Sequence, residues 1–367
     1  MCLSESGDEA KVQLNPNCRS DQYIRNVREL LSSHVMGSPG GYPVYLKRWT
    51  RMGQASDARL DDLLMLGESE AVVAVSGASG LTDELARRAW WAMPDSGNAR
   101  RMLARQCVIE GEMGRVLTEF LMEFLPFEES PRDIIDSVKL ILQPGLLSEE
   151  EKMEIWNRGK KKNVFQVGFL HAIPDDLPEK MSARADLETF LPQLRNLESA
   201  TNPFAAMLLR LMSASGQSFI ATCQHILKLP ANQDVVNILL DVLRNYFAPV
   251  RPEGDPDLTL EELLAEAEQR LANPSTDPAL AACLAATAGL QDELKALWVL
   301  SGLGYGVLRP VFSRTDAIGS LIRVFFVAWF TEWAVFLIEV SLILLYFLTW
   351  HKWIGQRKRR HVAVDDG

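Results

Sequence analysis

Residues 130–157 read SPRDIIDSVKLILQPGLLSEEEKMEIWN and contain two helix starts separated by a Pro-Gly turn. Ser130 stands directly before Pro131, the favoured order of an N-cap residue followed by proline in the first helical position. Ser148 stands three residues before Glu151, the spacing of a capping box, in which each side chain binds the other residue's backbone N–H. The stretch therefore predicts a pair of helices joined by a short turn.

The same helical pattern extends along most of the chain, and almost no segment alternates with the period of two that strands require. Thr82 is the expected N-cap of a further helix that carries Leu85 and Ala89. The fold class predicted is all-α, with a short strand at Ala10 to Leu14. The other helices predicted are Asp21 to His34, Asp61 to Ser76, Asn98 to Glu110, Met113 to Phe124, Pro131 to Leu142, Ser148 to Asn157, a group within 184–248, and Leu258 to Leu271.

Helix pairs of roughly 30 residues follow one another at 61–94, 97–128 and 131–158, a length typical of a HEAT-like α-solenoid. No residue signature recurs from pair to pair, so an irregular helical domain remains an equal alternative. The predicted organisation is an N-terminal segment, a helical-repeat domain, a second helical domain, a transmembrane helix and a basic tail, at 1–60, 61–180, 181–320, 324–353 and 354–367.

Composition indicates an acidic, reduced, folded body. The net charge is −10, and because the last 16 residues hold five Lys or Arg against two acids, residues 1–351 carry −13. An acidic surface repels phosphate backbones, so general nucleic-acid binding is not expected. The five cysteines are scattered, odd in number and without a CxxC pair, as in a cytosolic protein. The polar N-terminus lacks the apolar core of a signal peptide.

Residues 324–350 read VFFVAWFTEWAVFLIEVSLILLYFLTW and predict a membrane span. From Trp333 to Trp350 the helix rises about 27 Å, close to the hydrocarbon thickness of a bilayer. Eleven Leu, Ile, Val or Phe in that part contribute about −3 to −7 kcal/mol, which outweighs roughly 2.5–3.5 kcal/mol for Glu339. A buried core helix is the alternative. Glu332 and Glu339 share a helix face and either contact a polar membrane partner or are merely tolerated.

The orientation of this span is ambiguous, because Lys352 and the cluster Arg357 to Arg360 follow it and positive charge prefers the cytoplasm. A second apolar stretch at 296–312 would give a hairpin with both ends inside, although interfacial or buried placement fits its length and its glycines better. A tail anchor that breaks the charge rule is the other solution. The interpretation adopted is an inner-membrane anchor with the main body in the cytoplasm.

Two surfaces are candidates for binding. The segment 42–51 interleaves aromatic and basic side chains, a pattern that stacks on RNA or forms a protein contact. Trp90 and Trp91 are adjacent and cannot both face one core, which predicts an exposed ridge for a protein partner. The segment contributes Tyr42, Tyr45, Lys47, Arg48, Trp49 and Arg51, and a further basic patch comprises Arg158, Lys160, Lys161 and Lys162.

The positions of the residues that commonly act in catalysis or bind metals predict neither a catalytic centre nor a cofactor or metal site. The five histidines are dispersed and no HExxH or phosphate-loop motif occurs. A reactive thiol is the exception worth testing, since sulfur chemistry needs an exposed thiolate near positive charge. Cys18 beside Arg19 is the candidate, whereas Cys107 within ARQCVIE is expected to be buried.

Four blocks of the sequence resemble the sulfur reduction protein DsrS family, encoded with the dissimilatory sulfite reductase system of sulfur-oxidising bacteria. They are GDEAKVQLNPNCRSD (7–21), ELLSSHVMGSPGGYPVYLKRWTRMGQ (29–54), LLMLGESEAVVAV (63–75) and GLTDELARRAWWAMPDSGNARRML (80–103). The similarity covers about residues 8–180 and continues more faintly. It implies an accessory or regulatory role in oxidising stored sulfur, with sulfur-pathway proteins as partners, and it transfers no catalytic residue.

Three hypotheses follow. The first is a non-enzymatic, membrane-tethered helical scaffold that docks a sulfur-pathway protein. The second is a persulfide-handling protein that acts through Cys18, and the third is an RNA-binding post-transcriptional regulator that acts through residues 42–51.

The membrane prediction is tested by alkaline carbonate extraction of cell membranes. We expect the intact chain to stay in the pellet, and a chain ending at Arg323 to be released, because the apolar segment alone outweighs its single central acid. Recovery of the intact chain in the supernatant without detergent would contradict the tether.

Overall fold

The structure, a computed structural model, describes residues 2–3, 9–10, 13, 15–36, 60–65, 68–160, 162–228, 230–251, 258–303, 318 and 322. Apart from one short strand pairing, the regular structure of these residues is helical, so the prediction of an all-α fold is confirmed. The helices are α1 (Ser20–Met36), α2 (Leu60–Leu64), α3 (Ser69–Ser76), α4 (Asp83–Ala92), α5 (Ser96–Leu103), α6 (Gln106–Ile109), α7 (Glu112–Phe124), α8 (Pro131–Ile141), α9 (Glu149–Gly159), α10 (Val164–Ala172), α11 (Leu187–Ser199), α12 (Pro203–Met212), α13 (Ala214–Lys228), α14 (Gln233–Phe247), α15 (Leu260–Ala272), α16 (Pro278–Ala286) and α17 (Gln291–Ser301).

Short 3-10 turns at Leu125–Phe127, Ala248–Val250 and Pro274–Thr276 extend or connect these helices. At the N-terminus, Cys2–Leu3 pairs antiparallel with Glu9–Ala10. Of the predicted strand Ala10 to Leu14, only Ala10 lies in this pairing, and residues 11, 12 and 14 lie outside the described residues.

The helix starts predicted from local sequence are confirmed. The Ser130 hydroxyl accepts a hydrogen bond from the Asp133 N–H, and Pro131 occupies the first helical position. Ser148 and Glu151 form the reciprocal capping box. The Thr82 hydroxyl accepts from the Leu85 N–H at the start of α4. Each cap satisfies an N–H that the helix itself cannot satisfy, which is why short-range sequence sufficed to place it.

Two predicted helices are each divided in two. Asp61 to Ser76 was wrong as one helix: α2 ends at Leu64 and α3 begins at Ser69, with the helix-weakening Gly67 in the sequence between them. Asn98 to Glu110 divides because Arg105 adopts an extended backbone, φ −109° and ψ 126°. Its guanidinium donates to the Gly77 carbonyl oxygen at 2.6 Å, so a contact 28 residues away favours the break.

An acidic side chain far away in sequence holds α7 in place. The Asp83 carboxylate, at the start of α4, accepts hydrogen bonds of 3.1 Å from the N–H groups of Glu112 and Met113 at the start of α7. Gly111, the N-cap residue of α7, leaves no space for a side chain there, since a Cβ would lie 2.2 Å from the Asp83 Cγ. Negative charge at a helix N-terminus is also favourable for its dipole. This contact fixes α4 beside α7.

The core of the first half lies between α5, α7, α8 and α10. α8 and α10 approach so closely that a Cβ on Gly168 would lie 2.6 Å from the Val138 side chain. Trp156 of α9 is fully buried and packs edge-on against Phe169 of α10, with ring centroids 5.1 Å apart. α10 also packs on α13 and α14, so helices before and after residue 180 share apolar contacts.

Charged groups connect the segment 172–186 to the second half of the body. Asp175 binds the Arg210 guanidinium through both carboxylate oxygens and accepts a hydrogen bond of 3.1 Å from the Tyr246 hydroxyl. Arg184, whose side chain is 2% exposed, binds Asp186 and the buried Glu293 of α17, each at 2.7 Å. Because breaking a buried ion pair leaves an uncompensated charge, these contacts fix where the segment lies.

Chain contacts divide the protein into two compact units, 1–325 and 326–367, and the second contains no described residue. The predicted span 324–353, with Glu332 and Glu339, and the basic tail 354–367 therefore lie outside the described residues. Among the helices that are described, none is by itself both long and apolar enough to cross a bilayer. Only the pair α12 and α13, bent by 77°, meets that requirement jointly.

The Asp83 cap is tested by adding one methyl group. We expect Gly111→Ala to lower the free energy of unfolding by about 1–3 kcal/mol, the usual cost of overpacking, since the new Cβ displaces the carboxylate. Gly77→Ala is the matched control, because the nearest atom to its Cβ would be 3.6 Å away. Urea unfolding followed by circular dichroism measures both.

A double-mutant cycle identifies the partner of the added methyl group. In an Asp83→Ala background, Gly111→Ala should lower the free energy of unfolding much less, because the carboxylate that the new methyl group would displace is absent. Equal costs in both backgrounds would contradict the cap as the reason for the glycine.

Candidate functional site

Four aromatic side chains form a ladder on the surface of α4, α7 and the turn that follows α7. We call the ladder the aromatic ridge; it comprises Trp90, Phe120, Phe124 and Phe127. Trp90 meets Phe120 edge-on with ring centroids 4.7 Å apart, Phe120 stacks on Phe124 at 5.7 Å, and Phe124 is tilted against Phe127 at 6.4 Å. Such pairs stabilise one another by about 0.5–1.5 kcal/mol each.

The aromatic ridge is open to solvent. Phe127 is 75% exposed, and beside the ridge Val116, one turn before Phe120, is 44% exposed. Trp90, Phe120 and Phe124 are each partly exposed. Isolated exposed apolar residues are ordinary, but a contiguous aromatic run marks an interaction surface.

Local helix geometry and the Asp83 cap together create the aromatic ridge. Leu117 and Leu121 of α7 face the core and are fully buried, which turns Phe120 and Phe124 towards the surface. The Asp83 contact sets α4 beside α7 in the same direction, so Trp90 comes level with Phe120. The aromatic ridge therefore needs both α4 and α7, because neither helix carries all of its rings.

An acidic strip borders the aromatic ridge on α7. Glu112, Glu119 and Glu123 are exposed and lie on the side of the helix next to Val116 and the two phenylalanines. Glu119 pairs with Arg115 at 2.8 Å, and that arginine also binds Glu151 of α9 at 2.6 Å. Within the described part of the chain, Glu112 and Glu123 form no ion pair.

The predicted pair Trp90 and Trp91 separates as the helix geometry requires. Trp90 belongs to the aromatic ridge, while Trp91 points elsewhere on α4 and is 50% exposed. Phe120, Phe124 and Phe127 were missed at the sequence level. Their spacing of four and three residues was the available signal, but the same spacing is typical of a buried helix face.

The six predicted residues of segment 42–51, Tyr42, Tyr45, Lys47, Arg48, Trp49 and Arg51, lie outside the described residues. In the second basic patch, Arg158 pairs with Glu154 at 2.6 Å and Lys160 with Glu179 at 3.2 Å. Lys162 is exposed. The two described ion pairs neutralise much of that patch, which disfavours a phosphate-binding surface there.

Exposure divides the four described thiols into two groups. Cys18 is exposed, as its candidate role requires, and Cys107 is also exposed, so the expectation that it is buried was wrong. The Cys107 thiol donates to the Leu81 carbonyl oxygen at 2.9 Å, a contact that accompanies the break in the helix before it. Cys223 and Cys283 are buried, and burial raises the pKa of Cys283 to about 11 and that of Cys223 well above its usual range. Among these four thiols, Cys18 and Cys107 are therefore the ones accessible for thiolate chemistry.

A polar cleft of about 320 Å³ lies between α5 and α8. Arg100 in its wall is tied to Glu128 at 2.9 Å, to Asp133 at 3.2 Å and to the Ser137 hydroxyl at 3.3 Å. Its lining residues are Gly97, Arg100, Arg101, Asp133, Asp136, Lys139 and Leu140. The acids that neutralise Arg100 make the cleft a mixed-charge surface without a convergent binding geometry.

In the described part of the chain, no three His, Cys, Asp or Glu side chains come together as metal ligands do. In comparisons with known proteins, no family model, no curated protein and no solved structure matches this chain.

His171 of α10 gives a prediction about pH. It is half-buried, and burial together with the nearby Lys139 lowers its pKa, while Asp136 and Asp241 act weakly in the opposite sense. The folded state thus disfavours the protonated imidazole relative to the unfolded state. The stability that depends on a neutral His171 is complete above the unfolded-state pKa of about 6.5 and is lost as the pH falls through the lower folded-state value.

We expect the free energy of unfolding to fall less between pH 8 and pH 5 in His171→Gln than in the natural chain. His225→Gln, at an exposed position on α13, is the control. Urea titrations at a series of pH values measure this, and identical pH slopes for the natural chain and His171→Gln would contradict the assignment.

Proposed function

We propose that this chain is a non-enzymatic accessory protein that docks another protein through its aromatic ridge. The single observation that carries the proposal is the contiguous run of rings from Trp90 to Phe127, three of them partly exposed and Phe127 75% exposed. Large aromatic side chains dominate protein–protein binding energy, because each buries much apolar area while losing little conformational freedom.

The helical body serves as a rigid platform for this surface. Helices from α2 to α10 pack chiefly against neighbours close in sequence, which supports the HEAT-like solenoid as part of the proposal. Docking on helices rather than on a loop keeps the aromatic side chains pre-arranged, which lowers the entropy cost of binding. The short N-terminal strand pairing lies apart from this role.

The resemblance of four sequence blocks to the DsrS family supplies the biological setting. Under this proposal the docked protein belongs to the pathway that oxidises stored sulfur, and the chain regulates or assists it without performing chemistry itself. The blocks include GLTDELARRAWWAMPDSGNARRML, which contains Asp83 and Trp90. The same stretch thus contributes both to the resemblance and to the candidate surface.

The apolar segment 324–350 tethers the scaffold to the inner membrane, with the body in the cytoplasm. The support is the length and composition of that segment and the scattered, odd set of cysteines in the body. A tether would confine the aromatic ridge close to the bilayer and raise its effective concentration for membrane-bound partners.

A persulfide-handling role is the second candidate, and the exposure of Cys18 and Cys107 favours it. Polysulfide treatment followed by mass spectrometry would reveal an adduct on either thiol. RNA regulation through residues 42–51 is the third candidate. It requires salt-sensitive RNA retention that disappears when Lys47, Arg48 and Arg51 become Ala.

Site-specific photo-crosslinking tests the docking proposal. A benzophenone amino acid replaces Phe127, which is exposed enough to accept it, in the full-length chain expressed in a sulfur-oxidising bacterium. We expect a crosslinked adduct that contains a protein of the sulfur pathway, identified by mass spectrometry.

Met153, 40% exposed on α9, is the matched control position. An adduct that forms equally at both positions reports random collisions and counts against the proposal. A chain that yields no adduct and purifies alone from detergent-solubilised membranes would exclude docking through the ridge.

A further inference from the structure

We infer that the aromatic ridge receives an amphipathic helix whose apolar stripe is flanked by Lys and Arg. This inference rests on the proposed docking function and adds the chemistry of the partner. Two properties of the described surface carry it: the length of the ladder of rings and the acidic strip along one of its edges.

The ladder matches the repeat of a helix. The Phe120–Phe124 and Phe124–Phe127 centroid separations are 5.7 and 6.4 Å, each near the 5.4 Å pitch of an α-helix, so the α7 part of the ladder extends over about two helical turns. A partner helix that carries apolar side chains at i, i+3 or i+4, and i+7 therefore presents one anchor for about every ring interval. Trp90 of α4, in edge-on contact with Phe120, widens the apolar surface beyond α7.

The negative charge of the acidic strip favours basic side chains on the flanks of the partner helix. Glu112, Glu119 and Glu123 occupy one edge of α7 over three turns, and only Glu119 has a cation of the described body beside it. Carboxylates aligned along an apolar stripe attract a helix with basic flanks and repel an acidic one. The same strip disfavours an anionic membrane surface as the occupant, because lipid phosphates would face the carboxylates.

A binding experiment with synthetic helices separates charge from apolar contact. The first probe is a labelled peptide of about four turns with Leu on one face and Lys on the flanks; the second carries Glu wherever the first carries Lys. Fluorescence anisotropy with the full chain in neutral detergent measures both. We expect the Lys peptide to bind at least about tenfold tighter, with an affinity that falls as salt rises.

Matched variants locate the binding. Glu123→Gln should weaken the Lys peptide about two- to fivefold, and Phe127→Ala about tenfold. Glu150→Gln and Met153→Ala, at exposed positions on α9, should leave it unchanged. All four positions are on the surface, so folding is not at stake. Equal weakening by Glu123→Gln and Glu150→Gln would reduce the effect to overall charge and overturn the inference.

The remaining outcomes are also decisive. Equal affinity for the two peptides, or binding of neither, overturns the basic helix. Binding to anionic lipid vesicles that depends on Phe127 would also overturn the inference, because the ridge would then bind a membrane. Self-association that Phe127→Ala abolishes would overturn it too, because the ridge would then bind a second copy of the chain. If the Phe127 crosslink still captures a pathway protein in these cases, docking stands and only the partner's chemistry fails. If that crosslink is absent too, both proposals fail.

Discussion

The hydrogen bonds from α7 to the Asp83 carboxylate are the contact on which the candidate surface depends. They satisfy two N–H groups that a helix start leaves without partners, and they do so from another helix rather than from the adjacent residues. Gly111 leaves the space that the carboxylate needs. Because this cap sets the position of α7 along α4, it also brings Trp90 level with Phe120 and thereby creates a continuous surface from two helices.

Charged contacts, of which the Arg184–Glu293 pair is buried, have a comparable role in the second half of the body. Arg184 lies between Asp186 and Glu293, and Asp175 holds Arg210 and Tyr246, so a segment without regular structure is fixed to helices much later in the chain. Such groups contribute little net stability relative to apolar residues, but they penalise every alternative placement that leaves a charge unpaired. The protein thus combines a core of apolar helix faces with polar contacts that specify how the segments between helices lie.

The aromatic ridge illustrates how a partly exposed aromatic surface on a helical body differs from its core. Leu117 and Leu121 of α7 are removed from water within the body, whereas Phe120 and Phe124 remain partly exposed. Covering their remaining exposed apolar area with a partner would contribute hydrophobic free energy to binding. Under the proposed docking role, the neighbouring carboxylates would distinguish partners by charge.

Sequence alone determined the features that depend on neighbours within one helical turn: the caps at Thr82, Ser130 and Ser148, the all-α class, and the separation of Trp90 from Trp91. Tertiary structure decided what depends on groups far apart in the chain. Arg105 is not helical, and its side chain binds the Gly77 carbonyl oxygen. Cys107 lies at the surface. Phe120, Phe124 and Phe127 form a ridge rather than a core face, because apolar periodicity reports that a stripe exists, whereas packing decides whether another element covers it.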